Sequence, residues 1–194
     1  MGGTFNPPHR GHKNAANAAK DALGLSKIIF VPTAVPPHKE LSADAASEKE
    51  RLEMARLLAD EIGGEASDIE IASGGRNYTA DTLSKFREMY PDDELWFIMG
   101  TDMFLSLQNW RTPEKIFSLA SIAVVPRSDD DAEKLEDHAK WLCEKFGARA
   151  SVINAAAVDI SSTELRDMKT REELLEFIPE KILDYIEKRR LYGI

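Results

Sequence analysis

Short apolar runs alternate with amphipathic segments along this chain. The runs typical of buried strands are KIIFVP (27–32), ELWFIM (94–99), SIAVVP (121–126) and ASVINA (150–155), and DIEI (68–71) is a weaker candidate. Continuous apolar runs of this length suit parallel strands that are covered on both faces. Strands that alternate with helices form βαβ units. The pattern therefore predicts an α/β fold with a doubly wound, mainly parallel sheet, whose ligands bind beyond the carboxyl ends of the strands.

The segments between and after these runs have helical periodicity. They are ASEKERLEMARLLADEI (46–62), TADTLSKFREMY (79–90), EKLEDHAKWLCEKFG (133–147) and IPEKILDYIEKRRLY (178–192). In the first of them Leu52, Ala55, Leu58 and Ile62 fall on one face. A chain of 194 residues suits one domain with a substantial core. We therefore expect a single domain over residues 1–194, with residues 160–194 as its C-terminal helical part.

Composition excludes several classes of function. A net charge of −9 argues against duplex nucleic acid as the main partner, because a phosphate backbone requires a basic face. The single cysteine, Cys143, rules out an internal disulfide and a multi-cysteine zinc site, and it favours a reducing, cytoplasmic compartment. The apolar runs are far shorter than the ~18 residues of a membrane span, so no membrane partner is expected. The oligomeric state is not indicated.

The segment GGTFNPPHRGH (2–12) has the residues of an anion-binding loop. Gly2 and Gly3 allow close backbone approach and a positive φ, and the prolines stiffen the turn that follows. A helix beginning near His12 would offer free amides to a phosphate, with His9 and His12 at the same opening. An ordinary turn is the alternative. A zinc site has less support, because two histidines alone are an incomplete ligand set. The segment does not match a P-loop either, because no Gly-Lys-Ser/Thr follows its glycines.

A loop of this kind normally follows a strand, yet only Met1 precedes Gly2. A sheet without its central strand leaves unpaired backbone on both neighbours, which is costly when buried. We therefore expect a first strand upstream of residue 1.

A second candidate motif, ISSTELR (160–166), lies near the C-terminus. Its serine and threonine residues can cap a helix and direct hydroxyl and amide groups toward an anion. Arg166 follows one turn later and adds a forked cation that suits phosphate. A capped helix with a surface arginine would produce the same pattern without binding an anion.

These motifs resemble those of a known superfamily. The tetrapeptide His9-Arg10-Gly11-His12 resembles the HxGH signature of the nucleotidylyltransferases, and ISSTELR resembles their ISSTxxR signature. Between them, VPPHK (35–39), NYTADTL (77–83) and GTDMFLSLQNW (100–110) resemble segments of the bacterial nicotinate-nucleotide adenylyltransferases. The resemblance implies a Rossmann-like domain that transfers the adenylyl group of ATP to nicotinate mononucleotide in NAD biosynthesis. The products would be deamido-NAD and pyrophosphate, and Mg²⁺ would accompany ATP.

The resemblance also implies roles for individual residues. The catalytic residues would be His9, His12 and Arg166. ATP would be bound by Gly2, Gly3, Thr4, Phe5, Gly100, Asp102, Ile160, Ser161, Ser162 and Thr163. The mononucleotide would be bound by Lys39, Tyr78, Thr79, Trp110 and Arg111. No protein-held metal site is implied.

Several of these residues would also fit ordinary structural roles. Lys39 can be a solvated lysine, Thr79 and Asp102 can cap helices, and Trp110 can be a core residue. The nearest alternative function is that of another superfamily member such as a phosphopantetheine adenylyltransferase. The motifs are also compatible with a non-catalytic nucleotide-binding protein, or with an acidic α/β domain whose motif matches are accidental.

Overall fold

A computed structural model describes residues 1–35, 45–126, 131–155 and 160–194. Lys39 lies outside the described residues. The strands are β1 (Gly2–Gly3), β2 (Ile29–Pro32), β3 (Glu65–Ala66), β4 (Trp96–Gly100), β5 (Ser121–Val125) and β6 (Ala150–Val152). The helices are α1 (Arg10–Leu23), α2 (Glu48–Asp60), α3 (Ile69–Ser73), α4 (Thr79–Met89), α5 (Thr101–Ser106), α6 (Pro113–Leu119), α7 (Ala132–Phe146), α8 (Ser162–Asp167), α9 (Arg171–Phe177) and α10 (Glu180–Arg189).

The strands form two parallel three-stranded sheets, with the orders β1-β2-β3 and β4-β5-β6. β1 packs beside β4, so the order across the described part of the molecule is 3-2-1-4-5-6. This is the doubly wound order, in which the direction of winding reverses between β1 and β4. The predicted α/β class and parallel strands are confirmed. Among the described residues the sheet differs from the prediction in one respect, because no β1–β4 ladder joins its halves.

β1 has 2 residues, whereas β2, with which it pairs, has 4. The Met1 ammonium donates to the Ile29 carbonyl at 2.7 Å, and the Val31 amide donates to the Met1 carbonyl at 2.9 Å. Burial lowers the pKa of that ammonium to about 5. A cavity of about 800 Å³ reaches the facing edges of β2 and β4 here, where Ile28 and Trp96 line it. The expected upstream strand stays a prediction.

The DIEI segment does not form the predicted strand. It begins α3, and the nearby strand is β3 at Glu65–Ala66. Backbone hydrogen bonds place β3 beside β2, since the amides of Glu65 and Ser67 donate to Ile28 and Phe30. The prediction was wrong because four alternating residues fit one turn of a helix as well as a strand.

Two hydrophobic clusters hold the described fold together. One includes Phe30, Leu58 and Ile182 and packs α2 against β2 and β3, and α10 against α2. The other includes Phe104, Ile122 and Leu142 and packs α5 and α7 against the β4–β6 sheet. The predicted C-terminal helical part is present as α8, α9 and α10. Among the described residues, none of the helices is long and apolar enough to cross a bilayer.

Candidate active site

The N-terminal loop, residues 4–9, connects β1 to α1 and bends sharply at Phe5. Phe5 has φ of +50°, a conformation that costs of order 1–3 kcal/mol for a residue with a side chain. Its buried ring packs edge-on against Phe30. A Cβ at Gly3 would lie 3.1 Å from the Phe5 ring, so the buried ring would have to shift by a few tenths of an ångström to admit a side chain there. The expected positive φ at Gly2 and Gly3 is wrong, because both have extended strand backbone.

His9 and His12 lie together where the loop enters α1. α1 begins at Arg10, with His9 as its N-cap, rather than near His12. The ring centroids of His9 and His12 are 3.8 Å apart. The backbone N–H of His9 donates to Nδ1 of His12 at 3.2 Å. Because Nδ1 accepts this bond, a neutral His12 carries its proton on Nε2 and can donate from that atom.

Asn6 connects the N-terminal loop to two distant parts of the chain. Its Oδ1 accepts from the Ala46 amide at 3.1 Å and from the Tyr192 hydroxyl at 2.7 Å. Asn6 and Tyr192 are both buried. Nothing in the sequence connects Asn6 with Tyr192. No short motif contains both residues, which are 186 positions apart.

The ISSTELR segment packs directly on the N-terminal loop. Ser161 caps α8, and its hydroxyl accepts from the Glu164 amide. The Ser162 hydroxyl donates to the Pro7 carbonyl at 2.8 Å. Nη1 of Arg166 donates to the Asn6 carbonyl at 2.8 Å and to the Ser162 carbonyl at 2.9 Å. The capping prediction is confirmed at Ser161, whereas the Ser162 hydroxyl is directed at the loop backbone rather than at an anion site.

These elements surround a pocket of about 330 Å³, called here the smaller pocket. All of the residues predicted for catalysis or ATP binding line it: Gly2, Gly3, Thr4, Phe5, His9, His12, Gly100, Asp102, Ile160, Ser161, Ser162, Thr163 and Arg166. The pocket lies at the carboxyl ends of β1 and β4, where the fold places a ligand site. Asp102 belongs to the first turn of α5, whose N-cap is Gly100, so the alternative role of Asp102 as the cap is wrong.

The cavity of about 800 Å³ is called here the larger pocket. Four of the five residues predicted to bind the mononucleotide line it: Tyr78, Thr79, Trp110 and Arg111. The guanidinium of Arg111 lies 4.3 Å from the centroid of the Tyr78 ring. The indole N–H of Trp110 donates to the Ser106 hydroxyl at 3.4 Å. Thr79 is the first residue of α4 and Tyr78 is the N-cap, so the alternative role of Thr79 as the cap is wrong.

The two pockets adjoin. Both are lined by Met1, Gly2, Gly3, Thr4, Asp102 and Met103. A group bound in one pocket can therefore meet a group bound in the other beside Thr4 and Asp102.

Glu70 is an ionisable group in the larger pocket that sequence reasoning missed. It is 9% exposed, and it accepts a hydrogen bond from the Thr82 hydroxyl at 2.8 Å. Burial raises the pKa of its carboxyl. The misassignment of residues 68–71 to a strand concealed its place in the site.

The described residues contain no group of three or more histidine, cysteine or acidic residues placed to hold a metal. Asp102 is the one carboxylate among the described residues that line the smaller pocket. Mg²⁺ usually takes one or two carboxylates and completes its shell with substrate phosphates and water. The smaller pocket therefore fits a Mg²⁺ ion that is carried mainly by a triphosphate.

A family model and curated relatives both match this chain over most of its length. The cytidylyltransferase-like family matches residues 1–168. A probable nicotinate-nucleotide adenylyltransferase of Desulfitobacterium hafniense is 37% identical, with 100% of this chain and 94% of the relative covered. That of Gloeobacter violaceus is 38% identical, with 100% and 95% covered.

Solved structures share the fold at low sequence identity. The nicotinic acid mononucleotide adenylyltransferase of Plasmodium falciparum, complexed with NaAD, has a TM-score of 0.79 and 19% identity over 99% of this chain and 95% of that one. Since curated relatives share more than a third of their residues with it over nearly their whole length, this chain belongs to the nicotinate-nucleotide adenylyltransferase family of nucleotidyltransferases.

Proposed function

We propose that this family member binds ATP in the smaller pocket and nicotinate mononucleotide in the larger one, and joins them where the pockets meet. The observation that carries the proposal is the shared lining at Gly2, Gly3, Thr4 and Asp102. A shared border is what a reaction between two bound nucleotides requires, because positioning is the main contribution to such a transfer.

The reaction balances without an added base. A phosphate oxygen of the mononucleotide attacks the α-phosphorus of ATP and forms a new P–O bond. The bond from that phosphorus to the bridging oxygen breaks, and pyrophosphate leaves with the electron pair. The second pKa of a phosphate monoester is ~6, so the nucleophile is already anionic at neutral pH. Neither a general base nor a covalent enzyme intermediate is needed.

The protein neutralises charge and holds the α-phosphate in line. His12 donates from Nε2 to the α-phosphate region, since its Nδ1 is engaged by the His9 amide. His9 and Arg166 add donors to the triphosphate, together with the amides of residues 3–5 and 161–163. Preorganised donors of this kind are typically the largest contribution to transition-state stabilisation.

The larger pocket holds the pyridine part of the mononucleotide. Trp110 stacks on the ring, and Tyr78 and Thr79 contact it. Backbone amides near Trp110 receive the nicotinate carboxylate, with electrostatic support from Arg111. Support for these roles comes from the shared lining of one pocket. The proposed phosphate contact of Lys39 rests on the family resemblance alone.

Mg²⁺ would be carried by the triphosphate oxygens of ATP, with Asp102 as the carboxylate of the pocket lining that could hold it, and it would neutralise phosphate charge.

The single cysteine supports a cytoplasmic location.

Substrate choice tests the proposal. Purified protein is incubated with ATP, Mg²⁺ and one acceptor at a time: nicotinate mononucleotide, nicotinamide mononucleotide or phosphopantetheine. We expect pyrophosphate release with nicotinate mononucleotide. Release with phosphopantetheine alone would assign the chain to the alternative transferase, and no release with any acceptor would favour a non-catalytic nucleotide-binding protein.

A further inference from the structure

Arg51 is a fully buried arginine in α2, with 0% of its surface exposed. It lies in neither pocket lining, and sequence reasoning did not single it out. Nη1 donates to the Thr4 carbonyl at 2.9 Å and to the Thr33 carbonyl at 2.6 Å. Nη2 donates to the Ala34 carbonyl at 2.9 Å. The guanidinium is therefore solvated by backbone carbonyls from two loops.

Burying an arginine is costly, and a surface arginine would avoid that cost. The charge here has no ion pair among the described residues, and burial lowers the pKa of the guanidinium. A core position could be filled by an apolar residue at lower cost. The cost indicates that the three carbonyl contacts serve a purpose beyond filling the core.

The position of the contacts suggests that purpose. The β1–β2 ladder has its last described rung at the bond from the Thr33 amide to the Gly3 carbonyl. Immediately beyond this rung, the Arg51 guanidinium donates hydrogen bonds to the carbonyls of Thr4 and Thr33. The N-terminal loop can therefore leave the sheet while both carbonyls remain hydrogen-bonded in the interior.

Peptide geometry transmits the contact to the smaller pocket. The Thr4–Phe5 peptide is trans, and in a planar trans peptide the C=O and the following N–H point in opposite directions. Because Arg51 holds the Thr4 carbonyl toward the core, the Phe5 N–H is directed away from the core. Thr4 and Phe5 both line the smaller pocket.

We infer that Arg51 is a positioning residue for adenylyl transfer. It fixes the Thr4–Phe5 peptide plane so that the Phe5 N–H is presented to the triphosphate, and it holds Phe5 in its strained φ. The inference rests on the proposed function in one respect, which is that the smaller pocket receives the triphosphate.

A purely structural role for Arg51 makes a different prediction, and matched variants separate the two. Arg51→Met removes the donors but keeps the length of the side chain, and Arg51→Lys restores a cationic donor. Leu58→Ala creates a cavity on the same helix, in the hydrophobic cluster rather than the pocket lining. Arg56→Met changes an exposed arginine of the same helix.

Steady-state kinetics is measured at a temperature at which each variant is folded, as shown by circular dichroism. We expect Arg51→Met to lower kcat about 10–100-fold, with KM for nicotinate mononucleotide unchanged. This is less than the ~10²–10³-fold cost of removing one preorganised donor, because the Phe5 N–H is misdirected rather than removed. Arg51→Lys should regain at least half of that loss on a logarithmic scale. Leu58→Ala and Arg56→Met should keep the wild-type kcat. If Arg51→Met behaves like Leu58→Ala, the inference is wrong.

A binding measurement keeps the inference separate from the reaction. The chain has 8 phenylalanines, so selective ¹⁵N-phenylalanine labelling gives few amide signals, and Phe5→Leu identifies that of Phe5. We expect inorganic tripolyphosphate to shift the Phe5 signal in the wild type and to leave it unshifted in Arg51→Met. A shift of equal size in both would overturn the inference. An inactive wild type that still shows the shift would refute the proposed reaction but leave intact the role of Arg51 in presenting the Phe5 N–H to a triphosphate.

Discussion

Nη1 of Arg166 lies 2.8 Å from the carbonyl oxygen of Asn6, a residue 160 positions earlier in the chain. The contact ties α8 to the N-terminal loop, and the Ser162–Pro7 hydrogen bond reinforces it. The two motifs are thus held as one wall of the smaller pocket by contacts within the protein itself. The site is largely preorganised, which determines how its variants should behave.

The link between Ser162 and Pro7 should contribute to ATP binding. Ser162→Ala removes a neutral hydrogen bond worth about 1 kcal/mol, so we expect KM for ATP to rise by no more than about ten-fold. The control is Ser118→Ala, because that exposed hydroxyl bonds only within α6. Initial rates at varied ATP test this, and equal KM values for the two variants would count against the preorganised wall.

His12 should affect the chemical step rather than binding. His12→Ala removes the donor assigned to the α-phosphate region, and we expect kcat to fall about 10²–10³-fold with a much smaller rise in KM. Nitrogen-15 NMR of the wild type should also show neutral His12 as the Nε2–H tautomer, because Nδ1 accepts from the His9 amide. A variant that turns over at the wild-type rate would remove His12 from the mechanism.

Asn6 should stabilise the fold through its acceptor oxygen. Asn6→Ala leaves the Ala46 amide and the Tyr192 hydroxyl without their acceptor, at about 1–3 kcal/mol for each buried donor. Asn6→Asp keeps the acceptor oxygen, so its free energy of unfolding should fall less. The free energy of unfolding of Tyr192→Phe should lie between those of the wild type and Asn6→Ala. Urea unfolding ranks the variants. If Asn6→Ala were as stable as the wild type, the acceptor role would be wrong.

Glu70 should make stability depend on pH. Burial raises the pKa of the Glu70 carboxyl in the folded protein. The protonated carboxyl therefore stabilises the fold fully below its unfolded pKa of ~4.3, and this stabilisation is lost as pH rises through the folded pKa. Glu70→Gln keeps an acceptor for Thr82 and does not ionise. We therefore expect its stability relative to wild type to be higher at pH 7 than at pH 4.

The control for this prediction is Glu173, for which the expected pH dependence of stability is the reverse. The Thr170 hydroxyl and amide lower the pKa of Glu173, so its contribution is present above the unfolded pKa and is lost as pH falls. Glu173→Gln should therefore be more harmful at pH 7 than at pH 3. Urea unfolding across this range checks both variants, and an offset for Glu70→Gln that does not vary with pH would contradict the burial effect.

The part of the larger pocket that Ile28 and Trp96 line should accept a strand. Met-Val-Ile-Val placed before Met1 would extend β1 between β2 and β4. Burial of each aliphatic side chain contributes ~1.5–3 kcal/mol, and ordering each residue costs ~1–2 kcal/mol. We expect Tm to rise by about 2–6 °C, because a small net gain in the free energy of unfolding shifts Tm by this much in a chain of this size. The matched extension Met-Ser-Gly-Ser should not raise it, and equal Tm values would refute strand binding.

Sequence patterns predicted the long elements well. Continuous apolar runs predicted β4 and β5, and helical periodicity predicted α7, because these segments are long enough to distinguish a helix from a strand. Short segments were less predictable, as residues 68–71 show. Both motifs could be recognised in the sequence because each is local, and the structure places residues of both around the smaller pocket.

Contacts between distant residues were not predictable in this way. A side chain at Gly3 is disfavoured by its close approach to the Phe5 ring rather than by a need for positive φ, and that contact is visible only in the folded structure. Arg51 did leave a signal, since it shares the apolar face of α2 with Ala55 and Leu58 at helical spacing. A charge on a buried face indicates a specific set of partners, but the pattern alone cannot say which ones.

Transfer of a radiolabel tests the central claim most directly. The enzyme is incubated with nicotinate mononucleotide, Mg²⁺ and ATP labelled with ³²P at the α position. If the two pockets bring the mononucleotide phosphate to the α-phosphorus, all transferred label appears in deamido-NAD, in a one-to-one ratio with unlabelled pyrophosphate. Label attached to the protein, or pyrophosphate formed without labelled dinucleotide, would contradict direct adenylyl transfer between the two pockets.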